Sequence, residues 1–184
     1  MAEYRRNYIP GGTYFFTVVT YQRKKIFASE FARKILWNAW QKVQEKYPFD
    51  MVAVCLLPDH LHCIWTLPED DYAYSIRWAA IKGLFSRQYA AAGGSQDVRN
   101  QSRLKRGESA IWQRRFWEHT IRNQEDFNHH VDYIHYNPVK HNLAYSPIKW
   151  HWSSFQRYVK EGLYEPGWGS IEPDSVKSMQ TGLE

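Results

Sequence analysis

Apolar and polar positions along this chain fall into segments of two different periods. Thr13-Tyr14-Phe15-Phe16-Thr17-Val18-Val19-Thr20 is rich in aromatic and β-branched residues and predicts a first strand. After the basic turn Arg23-Lys24-Lys25, Ser29 can cap a helix over residues 30–47. Phe31, Ile35, Leu36 and Val43 supply its apolar stripe, and Pro48 ends it. Two short apolar runs, 51–57 and 63–67, predict the strands of a hairpin turned tightly at Pro58-Asp59. A second helix is predicted over 72–90, carrying Ile76, Trp78, Ile81, Leu84 and Phe85. Ala90 to Gln101, with Gly93-Gly94-Ser95 inside it, reads as a flexible loop. A last helix is predicted over 124–137, capped by Asn123, with Glu125 and Asp126 in its first turn and Pro138 at its end. Trp150, Trp152 and Phe155 predict a segment packed on the body. No internal repeat is visible.

The hairpin carries the first chemical signal. His60 and His62 stand two apart on a strand, so their side chains share one face, about 6.6 Å apart at the backbone. Leu61 and Cys63 point the other way. Two imidazoles on one rigid face make half of a metal site. The second signal is on the last helix. At about 100° per residue, Phe127, Val131 and Ile134 form one apolar stripe, and Asp126, His130, Tyr133 and Asn137 fall on an arc beside it. Tyr133 and Asn137, at i and i+4, share a face adjoining the core. Packed on the sheet, this helix can aim both at His60 and His62.

Composition narrows the class. At 184 residues the length fits one domain, set at 1–160, followed by a tail at 161–184. From Gly162 the tail has four acids against one lysine, which suits either a loose end or a ligand mimic lying over a basic groove. Charged residues at 23% and apolar ones at 43% describe an ordinary globule. No stretch approaches the roughly 20 apolar residues of a membrane span, and no apolar region follows the basic N-terminus. A cytoplasmic, nucleoid-associated protein is expected. Cys55 and Cys63 flank the turn and could meet across the hairpin, but nothing points to a secretory setting in which they would pair.

The net charge of +5 tilts the expected partner toward a polyanion. Residues 103–122 hold six basic side chains against two acidic ones, interleaved with aromatics, a pattern that suits phosphates and unpaired bases. The nucleic-acid-binding set expected from the chain is Arg5, Arg6, Lys82, Arg87, Arg103, Lys105, Arg106, Arg114, Arg115 and Arg122. For Lys82 and Arg87 a solvated helix face is an equal reading.

Two imidazoles and an amide oxygen, with positions open to substrate, suit Mg²⁺ or Mn²⁺. Zinc competes, but no third histidine or cysteine is evidently spaced for it. A tyrosine hydroxyl, a poor nucleophile at its free pKa near 10, can attack a phosphodiester polarised by such an ion. Tyr136 is the alternative nucleophile.

His60-Leu61-His62 resembles the histidine–hydrophobic–histidine (HUH) motif of single-tyrosine transposases of the IS200/IS605 type. The segment from Tyr133 to Lys140 resembles their nucleophile helix. Trp117-Glu118-His119-Thr120 and the opening Tyr4-Arg5-Arg6…Gly11-Gly12-Thr13-Tyr14 are similar to the REP-associated tyrosine transposase branch. The resemblance spans residues 4–158. It implies an α/β (α+β) fold, ferredoxin-like or RRM-like, with a central antiparallel sheet and helices on one face. It implies Mg²⁺ or Mn²⁺ held by His60, His62 and Asn137, with Tyr133 as nucleophile. It further implies cutting of single-stranded DNA beside a REP-type hairpin, through a 5′-phosphotyrosine that leaves a free 3′-OH. A monomer is expected for this branch, although IS200-type relatives are dimers. The competing readings are a non-cutting hairpin-binding protein and a metal phosphodiesterase that uses water, with Tyr133 a bystander.

Overall fold

The computed structural model describes residues 6–95 and 98–179. Arg5, one of the expected DNA-binding residues, lies outside them. Four strands form one antiparallel sheet in the order β2-β3-β1-β4: β1 (Thr13–Val19), β2 (Asp50–Leu56), β3 (His60–Thr66) and β4 (Trp117–Thr120). With α1 (Glu30–Lys46) after β1 and α2 (Tyr74–Ala91) after β3, the order is the βαββαβ of ferredoxin-like folds. The remaining helices are α3 (Gln101–Lys105), α4 (Gln124–Lys140), α5 (Phe155–Lys160) and α6 (Asp174–Lys177).

Helices cover both faces of the sheet, where one was expected. Alternate residues of the central strands sort into two cores. Tyr14, Phe16, Val18, Leu61, Cys63 and Trp65 pack on α1 and α2. Phe15, Ala53, Cys55 and Ile64 pack on Val131 and Ile134 of α4. This is why β1 and β3 carry apolar runs without alternation: both their faces are buried. The same alternation keeps the cysteines apart. Cys55 pairs in register with His62, and Cys63 with Val54, so the two thiols lie on opposite faces and are free.

Several predicted details change. Phe31 and Ile76 are exposed, and α1 buries Ala32, Ala39 and Trp40 with Leu36 and Val43. The last helix runs to Lys140, through Pro138. A proline removes its own donor and crowds the carbonyl four residues back, yet the residues after it can still complete a turn. The turn is then held by the His141 N–H on the Asn137 carbonyl (3.0 Å) and the Leu143 N–H on the Pro138 carbonyl (2.9 Å). The stretch after 161 lies on α4 in its described part. Val176 is buried there, and Tyr164 and Ser175 hydrogen-bond the Asp132 carboxylate.

Two fastenings set the frame. Arg77 is buried on α2, grips Asp71 through both carboxylate oxygens (2.7 and 3.1 Å) and donates to the carbonyls of Tyr47, Pro48 and Ala73. Ser153 bridges to Cys55, and the Trp150 indole donates to the Leu56 carbonyl (3.0 Å), so the 150–154 segment closes the β2 edge. None of the helices is long and apolar enough to cross a membrane, among the described residues.

Candidate active site and basic groove

β3 delivers His60 and His62 side by side, as its period of two requires, both buried and with ring centroids 4.9 Å apart. Each ring is aimed by a hydrogen bond at Nδ1. Asp59 Oδ1 lies 2.6 Å from Nδ1 of His60. Burial raises the Asp59 pKa, but His60 and Arg23 outweigh it and bring the carboxyl below its ordinary value. The acceptor is therefore a carboxylate, Nδ1 of His60 donates to it, and this bond fixes the direction in which Nε2 points. Thr17 Oγ1, directly across the ladder, lies 2.9 Å from Nδ1 of His62. Asp59 and its turn are themselves fixed. The Asp59 carbonyl accepts from both the N–H and the hydroxyl of Thr20, and the Pro58 carbonyl accepts from the Phe27 N–H.

α4 supplies the opposing wall. The Tyr133 ring meets the His62 ring edge-on at 5.2 Å, and the His141 ring meets that of His60 at 5.1 Å. Asn137 is one helical turn from each of these contacts, at i+4 from Tyr133 and i−4 from His141, and is fully buried. Among the described residues, neither its buried amide oxygen and nitrogen nor the buried Nε2 of His60 has a hydrogen-bond partner. Unsatisfied buried polar atoms cost about 1–3 kcal/mol each. Gathered on facing elements, they fit a bound ion. Lys140, one turn beyond Asn137, reaches back to place Nζ 3.3 Å from the Tyr133 hydroxyl. Tyr136, the alternative nucleophile, is half-buried beside Glu172 and Lys177, and burial raises its pKa.

A second polar cluster lies further along the same sheet face. His119 of β4 and Asp126 and His130 of α4 hold ligand-type atoms all within 4.8 Å, and the group could hold a metal ion. As it stands, Asp126 bonds Nε2 of His119 (2.9 Å) and the Arg122 N–H (2.9 Å), and Nδ1 of His130 lies 2.7 Å from the Asp126 carbonyl. Burial pushes the His130 pKa down.

The basic residues expected to bind DNA gather away from Tyr133. A groove of about 830 Å³ opens against α2, on the other face of the sheet, lined by Arg6, Lys82, Arg87, Arg103, Arg106, Arg114 and Arg115 with Trp112 and Phe116. Arg122 lies instead at the β4 edge with Trp117 and His119, and Lys105 is exposed on α3 outside the groove lining. Within the groove the cations differ. Arg103 is buried, donates to the carbonyls of Ser109 (2.5 Å) and Trp112 (3.0 Å) and stacks on Tyr21, so it holds the loop together. Lys82 donates to the carbonyls of Gln113 and Arg114, and its burial, beside Arg103 and Arg6, lowers its pKa to about 8. Arg114 pairs with Glu108 (2.6 Å). Arg6 lies over the Phe116 ring and near Glu118. Arg87, Arg106 and Arg115 are exposed to solvent.

The motif spacing predicted His60, His62, Tyr133 and Asn137, and the structure brings His60, His62 and Tyr133 into one cluster, with Asn137 on the helix face between its two contacts. It missed Asp59, Thr17, Lys140 and His141. Asp59 and Lys140 stand within three residues of predicted site residues. The pairing of Thr17 with His62 depends on strand register that only the fold supplies.

The family model for IS200-like transposases matches residues 9–137. A Haemophilus influenzae relative is 44% identical over 176 residues, covering 95% of this chain and 96% of its own length. The REP-associated tyrosine transposase of Escherichia coli K12 is also 44% identical, over 175 residues, covering 95% and 94%. A solved REP-associated tyrosine transposase bound to a REP hairpin superposes with a TM-score of 0.77 at 42% identity, covering 98% of this chain and 99% of that one.

Proposed function

The chain belongs to the IS200-like transposases, in their REP-associated tyrosine branch, and we propose that it is a metal-dependent single-stranded DNA endonuclease and strand transferase with Tyr133 as nucleophile. Its substrate is a REP-type hairpin with a short flanking strand, by analogy with the relative solved on such a hairpin. The observation that carries the reading is the Tyr133 ring lying against His62, with the buried Nε2 of His60 and the buried amide of Asn137 unpartnered among the described residues.

His60, His62 and Asn137 would hold Mg²⁺ or Mn²⁺, His60 through Nε2 and Asn137 through its amide oxygen. This nitrogen–oxygen donor set suits those ions. When bound, the ion supplies Lewis-acid polarisation of the scissile phosphate. The chain's own residues do the rest. Asp59 and Thr17 fix the two imidazoles, and α4 presents the Tyr133 hydroxyl beside them. Attack forms the Tyr133 Oη–P bond and breaks the P–O3′ bond. The phenol proton leaves to solvent, and the departing 3′-oxygen takes up a proton to become a free 3′-OH. The phosphodiester energy stays in the 5′-phosphotyrosine, so a 3′-OH can reverse the step and join strands. The groove against α2 suits the duplex stem, with exposed Arg87, Arg106 and Arg115 for phosphates and aromatic walls for unpaired bases. The His119–Asp126–His130 group is a second candidate for the metal, favoured by its clustering alone.

The test is a denaturing gel of end-labelled hairpin strands incubated with Mn²⁺. A protein-linked band, lost in Tyr133→Phe and kept in Tyr136→Phe, is expected. Cleavage without an adduct in Tyr133→Phe indicates the water-using phosphodiesterase. Tight hairpin binding with no cleavage indicates the non-cutting binder.

A further inference from the structure

α4 does not end before its proline but runs on to Lys140. Helical hydrogen bonding persists past Pro138, through the His141 N–H to the Asn137 carbonyl. Lys140 therefore stays in helical register with Tyr133. Seven residues at about 100° each return to within about 20° of the starting direction, two turns along the helix. The side chain spans those turns. Its ammonium lies 3.3 Å from the Tyr133 oxygen and 4.8 Å from the centre of the same ring. Lys140 is exposed to solvent.

We infer that Lys140 is a catalytic residue that stabilises negative charge on the Tyr133 oxygen in both directions of strand transfer. The inference rests on the reading of Tyr133 as nucleophile. In the cutting direction the Oη–P bond forms as the phenol proton departs to solvent, and charge builds on Oη before the bond is complete. In the joining direction a DNA 3′-OH attacks the phosphotyrosine. The P–Oη bond breaks, the electron pair stays on Oη, and the 3′-OH proton leaves to solvent. A fixed cation beside Oη lowers the barrier in each case. Its place on the same helix as Tyr133 means that no reorganisation is needed when the charge develops.

The experiment measures single-turnover adduct formation and strand joining at saturating hairpin DNA with Mn²⁺. It is accompanied by hairpin affinity in metal-free buffer, for wild type, Lys140→Met, Lys140→Arg and Tyr133→Phe. Removing one such charge-stabilising group typically slows a reaction by about 10²–10³-fold. Lys140→Met should lose about that much in both directions with affinity changed by less than about threefold, and Lys140→Arg should recover part of it. Aminoethylation of Lys140→Cys, whose other two cysteines are buried, should restore the rate in the folded variant. A full saturating rate in Lys140→Met, or a loss confined to affinity, overturns the inference while a dead Tyr133→Phe leaves the nucleophile standing. An adduct that survives in Tyr133→Phe removes the nucleophile itself, and the inference with it.

Discussion

Ser154 Oγ stands 2.8 Å from Nε2 of His135, joining the buried side of α4 to the segment that closes the β2 edge. The same hydroxyl accepts the Val54 N–H at 2.9 Å. His135 is fully buried, and burial, with Arg157 nearby, lowers its pKa to about 3. The unfolded chain binds a proton near 6.5, so below that pH unfolding takes up a proton that the native state refuses. Native stability is then present above about pH 6.5 and lost as pH falls toward 3, by about 1.4 kcal/mol per pH unit from this group. His130, also lowered by burial, acts in the same direction. Urea midpoints between pH 7 and 5 should show the fall, and His135→Gln should flatten it. An unchanged acid limb in the variant would contradict this account.

Arg77→Met is expected to be among the most damaging changes away from the proposed site. It strands the Asp71 carboxylate and three carbonyls that the buried guanidinium now satisfies. Because the Asp71 side chain is one-third exposed, the loss is expected below that of breaking a fully buried pair, at about 1–3 kcal/mol. Denaturant unfolding should register that loss, and one below about 1 kcal/mol would mean the network is dispensable.

Two places compete for the metal, and Mn²⁺ binding in the absence of DNA separates them. Followed by the paramagnetic signal of free Mn²⁺, affinity should fall by at least about tenfold in His60→Ala and in Asn137→Ala, the range for disturbing a metal's ligand environment. It should hold in His119→Gln and His130→Gln. The reverse pattern would move the ion to the β4–α4 cluster.

In the groove, exposed and engaged cations should behave differently. Arg87→Ala and Arg115→Ala are each expected to weaken hairpin binding and to lower the slope of log affinity against log salt by about one. Lys82, with a pKa of about 8, should lose its charge between pH 7 and 9. Wild-type affinity should fall over that range, and the fall should be absent in Lys82→Met. An equal fall in the variant would place the pH dependence elsewhere.

Local chemistry was legible in the sequence wherever it followed a period. The shared face of His60 and His62 follows from the strand repeat, that of Tyr133 and Asn137 from the helix repeat, and the Ser29 and Asn123 caps fall where they were expected. The end of α4 was misplaced because a proline disfavours helix in the residue before it without forbidding it, and the continuation placed Lys140 on Tyr133. The side of the sheet on which the cations gather was not legible, because a charge run carries no record of which face its element covers. Only the order β2-β3-β1-β4, with α2 on one face and α4 on the other, separates the groove from Tyr133. Arg103 shows the same limit from another direction: its place in a basic run gave no sign that carbonyls of its own loop would engage it.

The most direct measurement is tandem mass spectrometry of the wild-type protein after reaction with a REP-type hairpin strand and Mn²⁺, followed by nuclease trimming of the DNA. The peptide from Asn123 to Lys140 contains both Tyr133 and Tyr136, and fragmentation distinguishes them. A nucleotide mass attached to Tyr133 is the predicted result. A mass on Tyr136, or strand cleavage with this peptide unmodified, would contradict the account.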